Sequence, residues 1–179
     1  TLSPVYTEPG GRDASELAWT DADADGDLDV AIAGDDSLRV LRNDGGALRP
    51  AWEADLVPAT LDLGGLEPSN RVAWAHLDGD GRQQLLVAHG DTSGEPLLVF
   101  DPAPLDGQSW PRRPITGAPG DLLSVLPMDV DLDGMDELYL GTVTADRLVE
   151  VRDGALDRVW EATVEVISLH VQAGDIDQD

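Results

Sequence analysis

Two stretches of the sequence place an acidic residue at every second position and then continue with glycine and further acids. They read DADADGDLD over residues 21–29 and DVDLDGMDE over residues 129–137. A calcium ion in a protein takes about six to eight oxygen ligands from carboxylates, backbone carbonyls and water. Alternate acids can turn several carboxylates towards one point, and the glycine allows a sharp turn. Both stretches, the first and third loops, are therefore predicted to bind calcium.

Each of these loops offers four acidic side chains and one backbone carbonyl to the ion. In the first loop the predicted ligands are the carbonyl of Asp27 and the side chains of Asp21, Asp23, Asp25 and Asp29. In the third loop they are the carbonyl of Met135 and the side chains of Asp129, Asp131, Asp133 and Glu137. The side chain at position seven is expected to point away from the ion. Four carboxylates facing one point would repel one another without a cation, so the calcium is predicted to be structural.

Two further copies of the pattern are incomplete. The second loop, HLDGDGRQQ, keeps acids at Asp78 and Asp80 but has His76 and Gln84 at its first and ninth positions. It has lost two formal charges, and calcium prefers oxygen ligands to imidazole. Weak or no calcium binding is predicted there, and hydrogen bonds are expected to hold the loop, with Arg82 pairing Asp78 or Asp80. Loose binding only is predicted for the acids of the fourth loop, which are Asp175, Asp177 and Asp179.

The loops recur at a regular period along the chain. Their first positions, residues 21, 76, 129 and 175, are 55, 53 and 46 residues apart. An alternating apolar segment and a second apolar run follow each of the first three loops, which is typical of short strands. GALRPAWEA, from Gly46 to Ala54, recurs as GALDRVWEA, from Gly154 to Ala162. The repeating unit is therefore strand, acidic loop, strand, strand, turn, strand, which is the blade of a β-propeller.

The predicted fold class is all-β, with propeller blades of four antiparallel strands and about three and a half blades present. We expect one domain over residues 1–179, with approximate repeats at 1–47, 48–105, 106–155 and, truncated, 156–179. Propellers close with about four to eight blades. The chain is therefore expected to be a piece of a longer protein, or to be completed by another chain.

All five tryptophans fall at repeat positions: Trp19 and Trp74 before loops, and Trp52, Trp110 and Trp160 in the predicted last strand of a blade. Packing between blades is the favoured interpretation, and stacking on sugars is the alternative. Beside Trp110, the pair Arg112 and Arg113 departs from the repeat in a Pro-rich loop. Because loops that break a repeat often carry specificity, this pair is a candidate partner contact.

Composition excludes several classes of function. The net charge is −25, with 36 acids and 11 basic residues that are all arginine, so nucleic acid is not an expected partner. No run of 18 or more apolar residues exists, so membrane insertion is not expected. Cysteine and lysine are missing, and the three histidines form no zinc or catalytic spacing. The sequence also contains no nucleophile elbow and no phosphate loop, so the chain is not expected to be an enzyme.

The pattern AW-x-DxDxDGxxDVAIAG from Ala18, followed by LRNDGG from Leu41, resembles the FG-GAP or VCBS repeat. An EF-hand is disfavoured, because position twelve of the loops holds an apolar residue in a strand pattern, Ile32, Val87 or Leu140. FG-GAP repeats build the propeller heads of integrin α chains and occur in many bacterial secreted and surface proteins.

The resemblance implies a calcium-stabilised binding or adhesion module of a secreted or cell-surface protein, which recognises protein or glycan. Any export signal is expected upstream of Thr1. One alternative is a non-catalytic accessory propeller of a larger extracellular hydrolase or lyase. The other is a partial propeller that assembles with itself, as a homo-oligomer completing the ring.

Overall fold

The computed structural model describes residues 6, 13–56, 69–89, 94–102, 109–163, 167–168 and 171–173. Over these residues the chain forms twelve β-strands in three antiparallel sheets of four strands, with no helix in the same ranges. The predicted all-β fold with four-stranded blades is confirmed. The fourth loop, residues 175–179, lies outside the described residues.

Each sheet forms one blade, and its strands follow one another in chain order. Blade 1 contains β1 (Glu16–Thr20), β2 (Asp29–Ala33), β3 (Ser37–Asn43) and β4 (Leu48–Asp55). Blade 2 contains β5 (Arg71–Ala75), β6 (Gln84–Ala88), β7 (Leu97–Phe100) and β8 (Arg112–Arg113). Blade 3 contains β9 (Leu122–Met128), β10 (Glu137–Thr142), β11 (Arg147–Arg152) and β12 (Ala155–Glu161). Each acidic loop joins the first two strands of its blade, as predicted from the repeat.

The blades pack face to face in sequence order. Strand β5 packs against β1 and β2, and β9 packs against β5 and β6. We call the side of a blade that meets the preceding blade its rear face, and the side that meets the following blade its forward face. Side chains alternate along a strand, so Leu85 and Val87 of β6 join the core with blade 1, whereas Leu86 and Ala88 join the core with blade 3. Both faces of the second strand are thus buried, which explains its nearly continuous apolar sequence.

Three tryptophans pack between blades 1 and 2. Trp52 and Trp110 are stacked, with ring centroids 4.6 Å apart and planes 10° apart, and Trp74 lies 6.0 Å from Trp110. Trp74 also donates from its indole nitrogen to the carbonyl of Ala18 across the interface, at 3.2 Å. The predicted role in inter-blade packing is confirmed for these three residues.

The predicted position of Trp110 was wrong. Trp110 precedes the short strand β8 rather than lying within the last strand, and it packs back onto blade 1. Trp52, by contrast, lies within β4 and points forward to blade 2. Pro111, which has no N–H to donate to a sheet, separates Trp110 from β8. The two tryptophans therefore meet from opposite sides of one interface and are not equivalent.

The described part of the chain contains no helix that is long and apolar enough to cross a membrane.

Candidate metal sites in the acidic loops

The three described loops share one backbone path. The glycine at position six has a positive φ in each of them, as predicted for the first and third: Gly26 (93°), Gly81 (79°) and Gly134 (89°). Position four is also left-handed, at Ala24 (60°), Gly79 (66°) and Leu132 (62°). An alanine and a leucine are strained in that region, by about 1–2 kcal/mol each. Interactions elsewhere in the loop must therefore outweigh this strain.

In the first and third loops, the acid at position one accepts hydrogen bonds from two backbone N–H groups of its own loop. The carboxylate of Asp21 accepts from the nitrogens of Asp25 and Gly26, both at 3.0 Å. Asp129 accepts in the same way from Asp133 at 3.1 Å and from Gly134 at 3.0 Å. These bonds require the chain to turn back at position four, so they offset the left-handed backbone there. Because a carboxylate oxygen has two acceptor sites, the same oxygens can still face a cation.

The residue at position nine closes each loop from the other end. Asp29, Gln84 and Glu137 are all buried, with exposed fractions of 0%, 2% and 6%. Each accepts a hydrogen bond from the N–H of position two: Ala22 at 3.0 Å, Leu77 at 2.9 Å and Val130 at 2.8 Å. Gln84 makes this bond without a charge, so the closing interaction does not depend on calcium.

In the first loop, both carboxylate oxygens of Asp29 accept hydrogen bonds from backbone N–H groups. Its second oxygen accepts from the N–H of Asn43 on β3, at 2.8 Å. Burial raises the pKa of the Asp29 carboxyl, and the two N–H groups act in the opposite direction. Sequence reasoning assigned Asp29 to the ion alone. Asp29 also holds the loop together through these hydrogen bonds, which we call its bracing role. The sequence indicated this role at Gln84, which keeps an amide oxygen at the same position in a loop where calcium is not expected.

The structure gathers three of the predicted side chains in each intact loop. In the third loop, oxygens of Asp129, Asp131 and Glu137 all lie within 4.8 Å of one another. In the first loop the corresponding group is Asp21, Asp23 and Asp25. Asp133 and Asp29 fall outside these groups. The Asp133 carboxylate accepts from the nitrogen of Met135 at 2.8 Å, which holds the turn at position seven.

At position seven, the side chain of Asp27 points away from its loop, as expected. It accepts a hydrogen bond from the N–H of Gly45, in the turn between β3 and β4, at 2.8 Å. Met135 instead lies over the second loop, where its sulfur is 3.8 Å from the position that a β-carbon of Gly79 would take. The carbonyls of Asp27 and Met135 remain predicted ligands.

An arginine already stands beside the first loop. The Nε of Arg42 on β3 lies 3.1 Å from Asp23 and 2.9 Å from Asp44, and a terminal nitrogen lies 3.2 Å from Asp25. The other oxygen of Asp23, Oδ1, is buried and has no hydrogen-bond partner among the described residues. The first loop is therefore partly neutralised by the protein itself, while one oxygen remains unsatisfied.

A different arginine is built into the second loop. A terminal nitrogen of Arg113 on β8 lies 2.7 Å from Asp78 of the loop and 2.6 Å from Asp101. The prediction that Arg82 pairs with Asp78 or Asp80 was wrong, because the arginine that pairs with Asp78 is Arg113. Arg82 donates its backbone N–H to Asp80, at 2.8 Å. Burial acts to raise the pKa of Asp78, but hydrogen bonds from Arg113 and from the Asp80 N–H hold it below its usual value.

The first residue of the second loop links two blades. The N–H of His76 donates to the carboxylate of Asp136 in the third loop at 2.7 Å, and the N–H of Asp136 donates to the carbonyl of His76 at 2.7 Å. One loop earlier, the hydroxyl of Thr20 donates to Gln83. Position eight of a loop thus bonds back to the preceding blade, and the backbone of His76 makes this contact in the second loop.

Residues 21–87 match the family model of the FG-GAP-like repeat. This stretch carries an FG-GAP-like repeat. The match begins at the first loop and ends within β6, so it includes both an intact acidic loop and the degenerate one. The resemblance to FG-GAP repeats is confirmed. No curated protein matches the chain.

The three described loops share a backbone path but differ in the charges around it. The first loop has its acids and Arg42 beside them, and the second has Arg113 and two acids fewer. The third has its acids and, among the described residues, no arginine paired with them. The strand beside the third loop carries no counterpart of Arg42. The position on β11 that corresponds to Arg42 on β3 holds Glu150, which pairs with Arg152. The local supply of positive charge thus varies from blade to blade.

Replacing Arg113 by methionine is expected to destabilise the protein at neutral pH by about 1–3 kcal/mol, because two carboxylates lose their partner. Arg113 lowers the pKa of Asp78 in the folded state. Its stabilising effect is therefore present above the unfolded pKa, near 4, and is lost as the pH falls through the folded pKa. Urea denaturation from pH 7 down to pH 3 should show the gap between wild type and variant closing.

Arg112→Met is the matched control for this experiment. Arg112 is more exposed, and among the described residues it pairs with the exposed Glu95 alone, so its replacement should change the unfolding free energy by about 0.5 kcal/mol or less. An equal loss in both variants, or a gap independent of pH, would contradict the bracing role of Arg113. Arg113 is engaged within its own blade, and the partner role of the arginine pair stays a prediction.

Proposed function

We propose that this chain is a calcium-stabilised binding module, whose propeller blades present a rigid surface to a protein or glycan ligand outside the cell. The third loop carries the proposal. It brings three carboxylate oxygens within 4.8 Å of one another, and the part of the chain that the structure describes supplies no arginine or lysine to pair with them. Such a group of oxygens repels itself unless a cation is bound, and hard oxygen ligands of this kind suit calcium.

The first loop is proposed as a second and weaker calcium site. Its unsatisfied Asp23 oxygen offers a ligand, but Arg42 already contacts Asp23 and Asp25. A calcium ion must therefore share these carboxylates with a guanidinium group or displace it. The second loop is proposed to bind no calcium, because Arg113 takes the place of the ion. The third loop is expected to bind calcium more tightly than the first loop, and the second loop is expected to bind none.

The proposed location is secreted or at the cell surface. Sites built from few carboxylates hold calcium weakly, and extracellular modules work at about 10⁻⁴–10⁻³ M dissociation constants. The FG-GAP-like repeat matched by residues 21–87 supports such a setting. The strongly acidic chain, with its net charge of −25, disfavours nucleic acid as the ligand. The proposed role is binding without catalysis.

Calorimetric titration with calcium tests the proposed sites. We expect the wild-type chain to bind calcium at two sites of different affinity. Asp131→Asn should remove the tighter site, because Asp131 belongs to the third loop, and Asp23→Asn should remove the weaker one. Asp78→Asn is the matched control, since it makes the same change at the same position of the second loop, and it should leave both sites intact.

The ligand is tested on arrays of glycans and of extracellular proteins, probed in calcium and again with a chelator. Calcium-dependent retention that Asp131→Asn weakens would support the proposal. No calcium binding at millimolar concentration, or identical binding by the Asp131 and Asp78 variants, would overturn the assignment of the sites. Retention on the arrays that chelation leaves unchanged would separate ligand binding from calcium.

A further inference from the structure

The sequence contains seven Asp-Gly pairs, and one backbone reaction depends on this dipeptide. The backbone nitrogen of a residue can attack the side chain of an aspartate that precedes it, and glycine offers no side chain to obstruct the attack. The pair at 106–107 lies outside the described residues. The six other pairs begin at Asp25, Asp44, Asp78, Asp80, Asp133 and Asp153.

The reaction closes a ring and then opens it with water. The glycine nitrogen bonds to Cγ of the protonated aspartyl carboxyl group, the nitrogen loses its proton, the bond from Cγ to one oxygen breaks, and one water leaves. Water then adds to either carbonyl of the succinimide ring. Opening at one carbonyl restores aspartate. Opening at the other gives isoaspartate, whose main chain runs through Cγ and is one methylene longer. The rate depends on whether the nitrogen and the carboxyl group are free to meet.

Positions five and six form an exposed Asp-Gly pair in all three described loops. In two of them the glycine nitrogen is held by the acid at position one. The N–H of Gly26 donates to Asp21, and the N–H of Gly134 donates to Asp129, both at 3.0 Å. A hydrogen bond to a carboxylate is among the stronger ones that a backbone N–H makes. The nitrogen must give up this bond before it can attack the side chain beside it.

The second loop lacks this protection. Its position one is His76, which brings no carboxylate, and the N–H of Gly81 donates to no acceptor in the described part of the chain. The Asp80 carboxylate accepts from the N–H of Arg82 at 2.8 Å. A β-carbon at Gly81 would meet nothing within 4 Å, so the loop has room for the ring to form. Both reacting groups of this pair are therefore accessible.

The neighbouring pair in the same loop, Asp78 and Gly79, is protected in a different way. A terminal nitrogen of Arg113 lies 2.7 Å from the Asp78 carboxylate. A guanidinium group favours the ionised form of a carboxyl group beside it. The ring closes from the protonated form, so the ion pair slows the reaction at Asp78.

The two remaining described pairs lie in turns that other residues hold in place. At 44–45, the N–H of Gly45 donates to Asp27 at 2.8 Å. At 153–154, the pair forms the turn between β11 and β12, whose flanking residues are paired. The carbonyl of this turn's glycine also accepts from the N–H of Thr116 at 3.0 Å. Among the described pairs, the pair at 80–81 alone combines an unheld nitrogen with an unpaired carboxylate outside a closed turn.

We propose that Asp80 is a site of spontaneous modification, which converts to isoaspartate as the protein ages because its loop has lost the carboxylate at position one. The product adds one methylene to the main chain between β5 and β6 and takes away the acceptor of the Arg82 N–H. The proposal uses contacts of the protein alone and does not depend on calcium binding in the other loops.

Peptide mapping of aged protein tests the proposal. The chain is incubated at neutral pH with a chelator, so that bound calcium adds no protection to the first and third loops. Trypsin then releases the second loop as residues 72–82, since arginines precede and end this stretch. Electron-transfer fragmentation distinguishes isoaspartate at position 80 from isoaspartate at position 78. We expect isoaspartate to form at Asp80 at least about tenfold faster than at Asp25 or Asp133, because a hydrogen bond to a charged acceptor contributes a factor of this size.

Exchanging position one between loops should exchange the reactivity. His76→Asp supplies the missing carboxylate and should slow the reaction at Asp80 by about tenfold or more. Asp21→His removes the carboxylate from the first loop and should bring the rate at Asp25 close to the wild-type rate at Asp80. Circular dichroism shows whether each variant is folded. His76→Asn, which keeps an acceptor without the charge, and Asp129→His, read at Asp133, replace a variant that is not.

Asp80→Glu is the matched control for the assignment. It keeps the charge but would have to close a larger ring, so isoaspartate formation within residues 72–82 should fall to the level of Asp78. Equal rates at Asp25, Asp80 and Asp133 would overturn the proposal. So would isoaspartate at Asp78 in place of Asp80, or a rate at Asp80 that an acceptor at position 76 leaves unchanged.

Discussion

Replacing Trp110 by alanine is expected to lower the free energy of unfolding by about 3–5 kcal/mol. Trp110 is 3% exposed and lies at the centre of the interface between blades 1 and 2. Its ring is stacked on Trp52 and tilted against Trp74, and such aromatic pairs add about 0.5–1.5 kcal/mol to the burial itself. The alanine variant loses contacts in two blades at once. Urea denaturation followed by far-ultraviolet circular dichroism measures the loss without relying on tryptophan emission.

Two other variants separate packing from the chemistry of the indole. The Nε1 of Trp110 is buried and has no hydrogen-bond partner in the part of the chain that the structure describes. Trp110→Phe therefore gives up no hydrogen bond seen there and should lose less than half as much stability as the alanine variant. Trp19→Ala removes the same side chain at a half-exposed site and should change stability by about 0.5 kcal/mol or less in dilute protein. A phenylalanine variant as unstable as the alanine variant would contradict this account of the interface.

The strands and their order followed from local patterns that agree with one another. The alternating apolar segment and the second apolar run after each of the first three loops predicted two strands, and the repeated GALxxxWEA segment predicted the last one. Positive φ at Gly26 and Gly134 followed from the need to turn the loop. These features depend on neighbours in the sequence, and they recur in three blades, so one blade could be checked against another.

The charge partners could not be predicted in the same way, because they come from distant strands. Arg113 reaches Asp78 across 35 residues and Arg42 reaches Asp25 across 17. No local pattern marks either arginine, and Arg82, which lies within the second loop, was the more obvious candidate. The short strand β8 that carries Arg113 follows a stretch in which the repeat is weakest. The left-handed backbone at Leu132 was also missed, since leucine gives no signal for that conformation.

The bracing role of position nine was readable from the sequence, but only by comparing loops. A residue that binds calcium alone should vary freely in a loop that has lost calcium. Gln84 instead keeps a carbonyl oxygen at that position, and the structure shows this oxygen bonded to the N–H of Leu77. In the third loop, Glu137 at position nine therefore has two roles: it accepts from the N–H of position two, and its carboxylate lies in the group that faces the proposed ion. A substitution that keeps the hydrogen-bond acceptor but removes the charge can separate the two roles.

Glu137→Gln is expected to abolish most of the stabilisation by calcium while leaving the calcium-free protein within about 0.5 kcal/mol of the wild type. The amide oxygen can accept from the N–H of Val130, as Gln84 does from Leu77, but the third loop loses a charge. At a calcium concentration about 100 times the dissociation constant, the wild type should gain about 2.7 kcal/mol. Urea denaturation with calcium and with a chelator measures both quantities for each protein.

Glu137→Ala should lose both roles. Without calcium it removes the charged acceptor of the Val130 N–H in a part-buried contact, at a cost of about 1.5–3 kcal/mol, and with calcium it gains little. Glu150→Gln removes a charge from the same blade outside the loop and should respond to calcium as the wild type does. Full calcium stabilisation of Glu137→Gln would mean that Glu137 serves only as a brace. A large loss for Glu137→Gln without calcium would mean that the brace itself requires a carboxylate, and the parallel with Gln84 would fail.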